Sequence, residues 1–233
     1  MKRSQVNSIM RSADKFIREC GFFLPPFAYW TPEVWKQKGV EVSEIVTNHL
    51  GWDITDFGSG NFQECGLFLF TIRNGSSENW RTMQGKLFAE KLLVVDIDQI
   101  TPLHFHWKKT EDIINRGGGN LNLQLYNSTP DEKIDFEKEI NIMVDGVQRI
   151  LPPGGLVTLS PGESITLSPY CYHKFWGAGG RVLVGEVSMV NDDSTDNRFA
   201  DQSGRFPVIQ EDEPPLYLLI TDYKHYYRAF NGG

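Results

Sequence analysis

From residue 67 to residue 187 the chain falls into short apolar or alternating segments, nearly all bounded by glycine or proline. Residues 67–72 and 88–97 are largely apolar runs. Leu121, Leu123 and Leu125 alternate with Asn122 and Gln124. Ile140, Ile142 and Val144 lead into Asp145-Gly146, and residues 147–150 return. An Asp-Gly pair between alternating apolar residues signals a two-residue hairpin. Residues 156–159, 164–167, 171–175, 181–187 and 216–220 read as further strands. The glycines at 117–119, the Pro-Pro-Gly-Gly at 152–155, Pro161-Gly162 and the glycine-rich run 177–180 punctuate them. Many short strands with such turns predict a sandwich or barrel.

A helical stretch precedes the strands. Val6, Ile9, Met10, Ala13, Phe16 and Ile17 make one apolar stripe at helical spacing, predicting a helix over 5–20. Pro25-Pro26 cannot continue it. Thr31-Pro32-Glu33 has the cap, proline and early acid of a second helix start, and residues 42–50 read as a third. Gly51 is expected to end the helical region. The expected organisation is an N-terminal helical extension over 1–50 and a β-barrel over 51–233 ending in a loop and a strand, all one structural unit. Residues 191–215, polar and acidic, read as a long loop over the barrel mouth.

The 233 residues, 40% of them hydrophobic, suit one globular domain with an ample core. A net charge of −7 lacks the basic face that nucleic acid requires. No apolar run is long enough to span a membrane, and the N-terminus is amphipathic, unlike a signal peptide. Three cysteines, Cys20, Cys65 and Cys171, form no disulfide framework and point to reduced thiols and a cytoplasmic setting.

The chemistry concentrates at Thr101-Pro-Leu-His104-Phe-His106-Trp-Lys-Lys-Thr-Glu111. On a strand, side chains two apart leave the same face. His104 and His106 therefore point together, with Phe105 and Trp107 on the other side. Glu111 can reach the same ion after a short turn, and His173 adds a third imidazole from the segment that begins at Pro161-Gly162. Three imidazoles and a carboxylate, with no thiolate, suit a divalent transition metal with open positions. His49 and His225 have no such company and read as ordinary residues.

These motifs resemble the two boxes of the cupin superfamily. His104, His106, Glu111 and Gly118 match the first box, and Gly162, Pro169 and His173 match the second. The spacing departs from the usual pattern, and Cys171 stands where glycine is common. The resemblance implies a mainly β fold, a single jelly-roll β-barrel with N-terminal helices here. The longer run from His104 to Asn120 resembles the D-lyxose isomerase family. So do Leu-Pro-Pro-Phe-Ala (24–28), Leu-Gly-Trp-Asp (50–53), Ala-Glu-Lys (89–91), Leu-Ser-Pro-Gly-Glu-Ser-Ile (159–165), Val-Gly-Glu-Val-Ser (184–188) and Val-Asn-Asp-Asp (190–193). That likeness implies a homodimeric isomerase interconverting D-lyxose and D-xylulose, also accepting D-mannose, with a divalent metal, manganese foremost. Its partner would be a small sugar, with no nucleic acid or membrane. A cupin dioxygenase using iron, or a sugar-binding cupin without catalysis, would use the same ligands.

An isomerase also needs a group to move the carbon-bound proton. Glu186 is the first candidate, because it interrupts an apolar strand and shares a face with Val182, Val184 and Ser188. The alternative is an acid salt-bridged in the barrel wall. Lys91, on the same face as Leu93 and Val95, suits a donor to a substrate oxygen or a partner of Glu186 or Glu111; a lysine snorkelling from a strand end is the alternative. Lys109 is a candidate sugar contact or a solvated turn lysine. Asp193 and Arg205, in the expected loop over the mouth, are candidate binders of sugar hydroxyls or surface residues. Trp107, Phe105 and Trp176 read as core or wall aromatics.

Overall fold

The computed structural model describes residues 1–201 and 204–228. Helix α1 (Arg3–Glu19) buries Val6, Met10, Ala13 and Ile17 completely or nearly so, as its apolar stripe predicts. Each large aliphatic side chain so buried contributes about 1.5–3 kcal/mol. Thr31 caps α2 (Pro32–Trp35), accepting the Val34 N–H, but the helix lasts a single turn. A 3-10 turn at Val40–Val42 leads into α3 (Ser43–Thr47). Gly51 ends the leading helices and begins strand β1 (Gly51–Thr55), a strand the sequence pattern did not single out. Next come β2 (Leu67–Arg73), a short helix α4 (Ser77–Thr82) that the sequence reading did not anticipate, and β3 (Phe88–Val95). The remaining strands are β4 (His104–Phe105), β5 (Glu111–Ser128), β6 (Ile134–Asp135), β7 (Ile140–Val144), β8 (Val147–Leu151), β9 (Leu156–Leu159), β10 (Ser164–Leu167), β11 (Cys171–Met189) and β12 (Arg198–Phe199).

The two segments expected as separate strands at 171–175 and 181–187 are halves of one strand, β11. It pairs antiparallel with the similarly long β5, and the register shifts between Ala178 and Val182. Beyond that shift, β11 and β5 lie in the order β1-β2-β3-β11-β5-β10-β7-β8. Before it they join β4, β12, β9 and β6. Gly118 stands at the bend with φ of +93°, where a Cβ would meet the Arg181 carbonyl oxygen at 2.1 Å. No residue with a side chain fits there. The Asp145-Gly146 hairpin forms as expected, pairing Val144 with Val147.

The two halves face each other across a core that combines Leu69, Leu93, Ile113, Val182 and Val184 with Leu121, Leu123, Leu125, Val157 and Phe175. Helix α1 covers the outer face of β1 to β3, packing on Trp52, Ile54, Phe68, Phe70, Leu92 and Val94. Alternation along these strands leaves Lys91, Leu93 and Val95 pointing inward. The hydrogen-bonded path ends at β1 and β8, so pairing does not close the barrel.

Residues 216–220 are not the expected strand. Leu219 makes one isolated bridge to Trp52, and Leu218 packs with Trp35, Val42, Val46 and Tyr223 beside a one-turn helix, α5 (Tyr223–Tyr226). The apolar run there serves helix packing. The preceding stretch is bound along α1: Arg3 donates to Glu211, Ser4 to Asp212 and Asn7 to Glu213, and Arg3 also donates to Asp222 just after the run. No helix among the described residues is long and apolar enough to cross a membrane.

Candidate metal and sugar site

His104 lies on β4 and pairs in register with His173 on β11. His106 follows two positions later on the same face. Phe105 turns the other way into a cluster with Trp107, Tyr170 and Tyr172, as strand alternation predicts. One ligand atom from each of His104, His106 and His173 lies within 4.8 Å of the others.

Each imidazole is anchored through Nδ1. The acceptors are the carbonyl oxygens of Pro102 at 2.9 Å, Asp196 at 2.6 Å and Cys171 at 3.0 Å, for His104, His106 and His173 respectively. A carbonyl only accepts, so Nδ1 carries the proton and Nε2 keeps its lone pair in the neutral ring. Burial, helped by His173 and His106, pushes the His104 pKa well below its ordinary value.

Glu111, the first residue of β5, brings Oε1 to 3.3 Å from His106 Nε2 and 3.2 Å from His173 Nε2. That oxygen is buried and has no hydrogen-bond partner among the described residues. Acceptors thus converge without a donor between them, an arrangement a cation resolves. The donor set, three imidazole nitrogens and one carboxylate oxygen, fits a divalent transition metal.

A chain of buried ion pairs extends from this cage. Lys109 Nζ lies 2.7 Å from Glu111 Oε2 and 2.8 Å from Glu186 Oε1. Lys91 Nζ lies 3.3 Å from Glu186 Oε1 and 3.4 Å from Asp193 Oδ1. Arg205 Nη2 is 3.0 Å from Asp193 Oδ2 and 2.6 Å from Asp53 Oδ2. Burial opposes the charge on Lys109, but Glu111, Glu186 and Asp193 outweigh it and raise the pKa well above the usual lysine range. The reverse holds for two carboxyls. Burial pushes Glu111 up, yet the Lys109 ammonium beside it holds it well below the ordinary range. Burial likewise pushes Asp193 up, and Lys91, Arg205 and Lys109 pull it far down.

All nine residues singled out in the sequence line one cavity: Lys91, His104, His106, Lys109, Glu111, His173, Glu186, Asp193 and Arg205. Lys109 is not a solvated turn lysine; its side chain is 2% exposed. Glu186 lines the cavity and is also salt-bridged in the barrel wall, while Lys91, paired with Glu186 and Asp193 and 3% exposed in its side chain, does not snorkel from a strand end. The segment after β11 does cover the mouth, contributing Asp193, Asn197, Phe199 and Arg205 to the lining.

A family model described as D-lyxose isomerase matches residues 1–223. The chain belongs to the D-lyxose isomerase family. A family member named D-lyxose/D-mannose isomerase, from Escherichia coli O157:H7, is 44% identical over 229 residues, covering 97% of this chain and 100% of the relative. Another of the same name, from Serratia proteamaculans, is 45% identical over 226 residues, covering 96% and 98%. Among solved structures, the ligand-free L-ribose isomerase of Cellulomonas parahominis superposes with a TM-score of 0.59 at 14% identity, over 90% of this chain and 98% of that one. The L-ribose isomerase of Acinetobacter sp. DL28 in complex with L-ribose gives 0.59 at 12% identity over the same shares. At such identities the likeness is one of fold alone.

Several site residues of this D-lyxose isomerase family member escaped the sequence reading. Asp196 accepts the backbone N–H groups of Lys108 and Lys109 at 3.0 and 3.1 Å while its carbonyl holds His106. Asn191 accepts from Lys109 Nζ at 3.1 Å. Asp53 pairs with Arg205. The family word Leu-Gly-Trp-Asp contains Asp53, and that was its one visible signal. Cys171 is half-buried, packed against the core beside the cage: burial, with the Glu111 carboxylate nearby, pushes its thiol up to about 12.

Proposed function

We propose that the protein is a metal-dependent aldose–ketose isomerase that interconverts D-lyxose and D-xylulose, and D-mannose and D-fructose, by proton transfer through an enediol. One observation carries this reading: the Lys109–Glu186 pair lies directly beside a cage of three Nδ1-anchored imidazoles and the unpartnered Glu111 oxygen. The curated relatives' names supply the substrates.

His104, His106, His173 and Glu111 would hold the divalent cation, manganese foremost, which would supply Lewis-acid stabilisation of enediolate charge. Glu186 takes the proton from C2. The C–H electrons form the C1–C2 double bond, and the carbonyl π electrons move to O1. Lys109, within reach of both Glu111 and Glu186, donates a proton to O1 and recovers one from the O2 hydroxyl. Glu186, once its proton has exchanged with solvent, protonates C1, giving the ketose. Lys91 holds the Glu186 carboxylate in place through the exchange. Asp193 and Arg205 contact hydroxyls further along the sugar.

The charge balance favours this chemistry. Four carboxylates, Glu111, Glu186, Asp193 and Asp53, face three cations, Lys109, Lys91 and Arg205. A divalent ion brings that set to a single positive charge, matched to a singly negative enediolate. The three free cysteines are in keeping with a cytoplasmic enzyme, and the family likeness supports a homodimer.

The test is conversion of D-lyxose by manganese-loaded protein in D2O under argon, followed by NMR. D-xylulose carrying deuterium at C1 is expected. A fully metallated sample that forms no ketose would sink the isomerase reading; turnover without deuterium would point to a hydride shift.

A further inference from the structure

Two buried side-chain polar atoms have no hydrogen-bond partner among the described residues, Glu111 Oε1 and Arg205 Nη1. Both residues line the same cavity. The first atom is an acceptor and is accounted for by a cation. The second is a donor. A guanidinium nitrogen shut away from water without an acceptor is unfavourable, so its acceptor is to be sought in what the cavity binds.

Arg205 is aimed by its other terminal nitrogen. Nη2 donates to Asp53 at 2.6 Å and to Asp193 at 3.0 Å. Asp53 lies on β1 opposite Leu69 and is 3% exposed. Its neighbours Trp52 and Ile54 face α1, which turns Asp53 inward. It is absent from the cavity lining, and among the described residues Arg205 alone is found bonded to its side chain. A guanidinium is a rigid planar fork, so fixing Nη2 from behind fixes where Nη1 presents its hydrogens.

Arg205 and Glu111 stand at opposite ends of the ion-pair chain that runs through Lys109, Glu186, Lys91 and Asp193. With C1 and C2 at the Glu111–Glu186 end, the rest of the sugar extends toward Arg205. Two carboxylates already offset the charge of that guanidinium. What it offers is a directed hydrogen bond to a neutral oxygen, and a phosphate there would meet Asp53 and Asp193.

We propose that Arg205 Nη1 donates to a hydroxyl oxygen at C4 or C5 of the open-chain sugar, and that Asp53 is the positioning residue that aims it. Together they set which aldoses the site accepts. The proposal rests on the isomerase reading above and adds the recognition of the sugar's far end.

The test is an enzyme–substrate cycle with manganese-loaded protein, using D-lyxose and its 4-deoxy and 5-deoxy analogues with wild type, Arg205→Lys and Asp53→Asn. A site built around a hydroxyl strongly rejects the analogue that lacks it. In wild type, one of the two deoxygenations is expected to lower kcat/KM about 100-fold. In Arg205→Lys that penalty shrinks to about threefold. Asp53→Asn raises KM for D-lyxose about tenfold with kcat little changed, the signature of lost binding, and manganese affinity by calorimetry is unaltered. Titration of wild type with the alditol of D-lyxose and its deoxy forms gives a readout that needs no variant to fold; the same position is expected to matter. Equal penalties in wild type and Arg205→Lys, or no penalty at either position in wild type that turns over D-lyxose, overturns the proposal. Selective alditol binding without turnover upholds Arg205 as the polyol reader and sinks the isomerase reading; unselective binding without turnover overturns both.

Discussion

Lys109 sets its ammonium between two carboxylates, 2.7 Å from Glu111 and 2.8 Å from Glu186. It thereby joins a ligand of the cage to the residue assigned to carry the proton. Its own side chain, that of Glu111 and that of Glu186 are 2%, 2% and 7% exposed. Removing one member of such a buried set strands the others' charge. Lys109→Met is expected to destabilise the metal-free protein by about 3–5 kcal/mol, read from urea unfolding. Its kcat on D-lyxose is expected to fall at least about 100-fold.

The cage predicts how stability responds to metal. A chelated sample is expected to have no isomerase activity and to regain it with manganese. At a thousand times its Kd the ion adds about 4 kcal/mol to folding, which for a chain of this size raises Tm by about 8–16 °C. Calorimetry at two manganese concentrations measures this, and a Tm that ignores the metal contradicts the cage.

Asp196 acts on the cage from the loop that follows β11. Its carboxylate holds the backbone of Lys108 and Lys109, and its carbonyl holds His106. Asp196→Ala frees that turn and is expected to weaken manganese binding about 10–100-fold, measured by titration with the isolated ion.

Asp193 predicts an acid limb in the stability curve. Its carboxyl is held far below the usual range by Lys91, Arg205 and Lys109 against the effect of burial. A depressed folded-state pKa means that the unfolded chain binds the proton first, so the contribution is complete above the unfolded value of about 3.9. It is lost as pH falls below that value toward the folded pKa. Asp193→Asn is expected to lower stability at pH 7, with the difference from wild type closing as pH drops through 4 toward 2. Urea midpoints across that range give the comparison.

Two glycines near the bend in the long strands separate backbone conformation from space. Gly118 has φ of +93° and the Arg181 carbonyl where a Cβ would lie; Gly179 has φ of +72° and nothing within 4 Å. Gly179→Ala is expected to cost about 1–2 kcal/mol, the penalty of left-handed backbone for a residue with a Cβ. Gly118→Ala adds a clash with backbone, and a cost of more than about 3 kcal/mol is expected from denaturation midpoints.

Much of the local structure was legible because it depends on neighbours in the chain. The α1 stripe, the Asp145-Gly146 hairpin and the inward parity of Lys91, His104, His106 and Glu186 all follow from the repeat of one helix or strand. Apolar segments served less well where their burial partner lay far away. Residues 216–220 look like a strand, but Leu218 and Ile220 pack in the cluster of Trp35 and Val46 and Leu216, Tyr217 and Leu219 in that of Trp52, and β1 hides behind Gly51 because its five residues are buried on both faces and show no alternation. The separate segments at 171–175 and 181–187 became one strand because Gly118 lets β5 bend alongside it.

By itself, the sequence determined which residues could carry chemistry: the spacing of His104, His106 and Glu111, the Pro-Gly element before His173, and charged residues placed within apolar strands. Tertiary structure alone decided how those charges are partnered. Hydrogen bonds of 2.6 Å join Asp53 to Arg205 and Asp196 to His106 across 152 and 90 positions of chain. No local periodicity encodes such pairs. They exist because folding over the barrel mouth removes water from these groups, and each buried charge must then find a partner, a metal or a sugar oxygen.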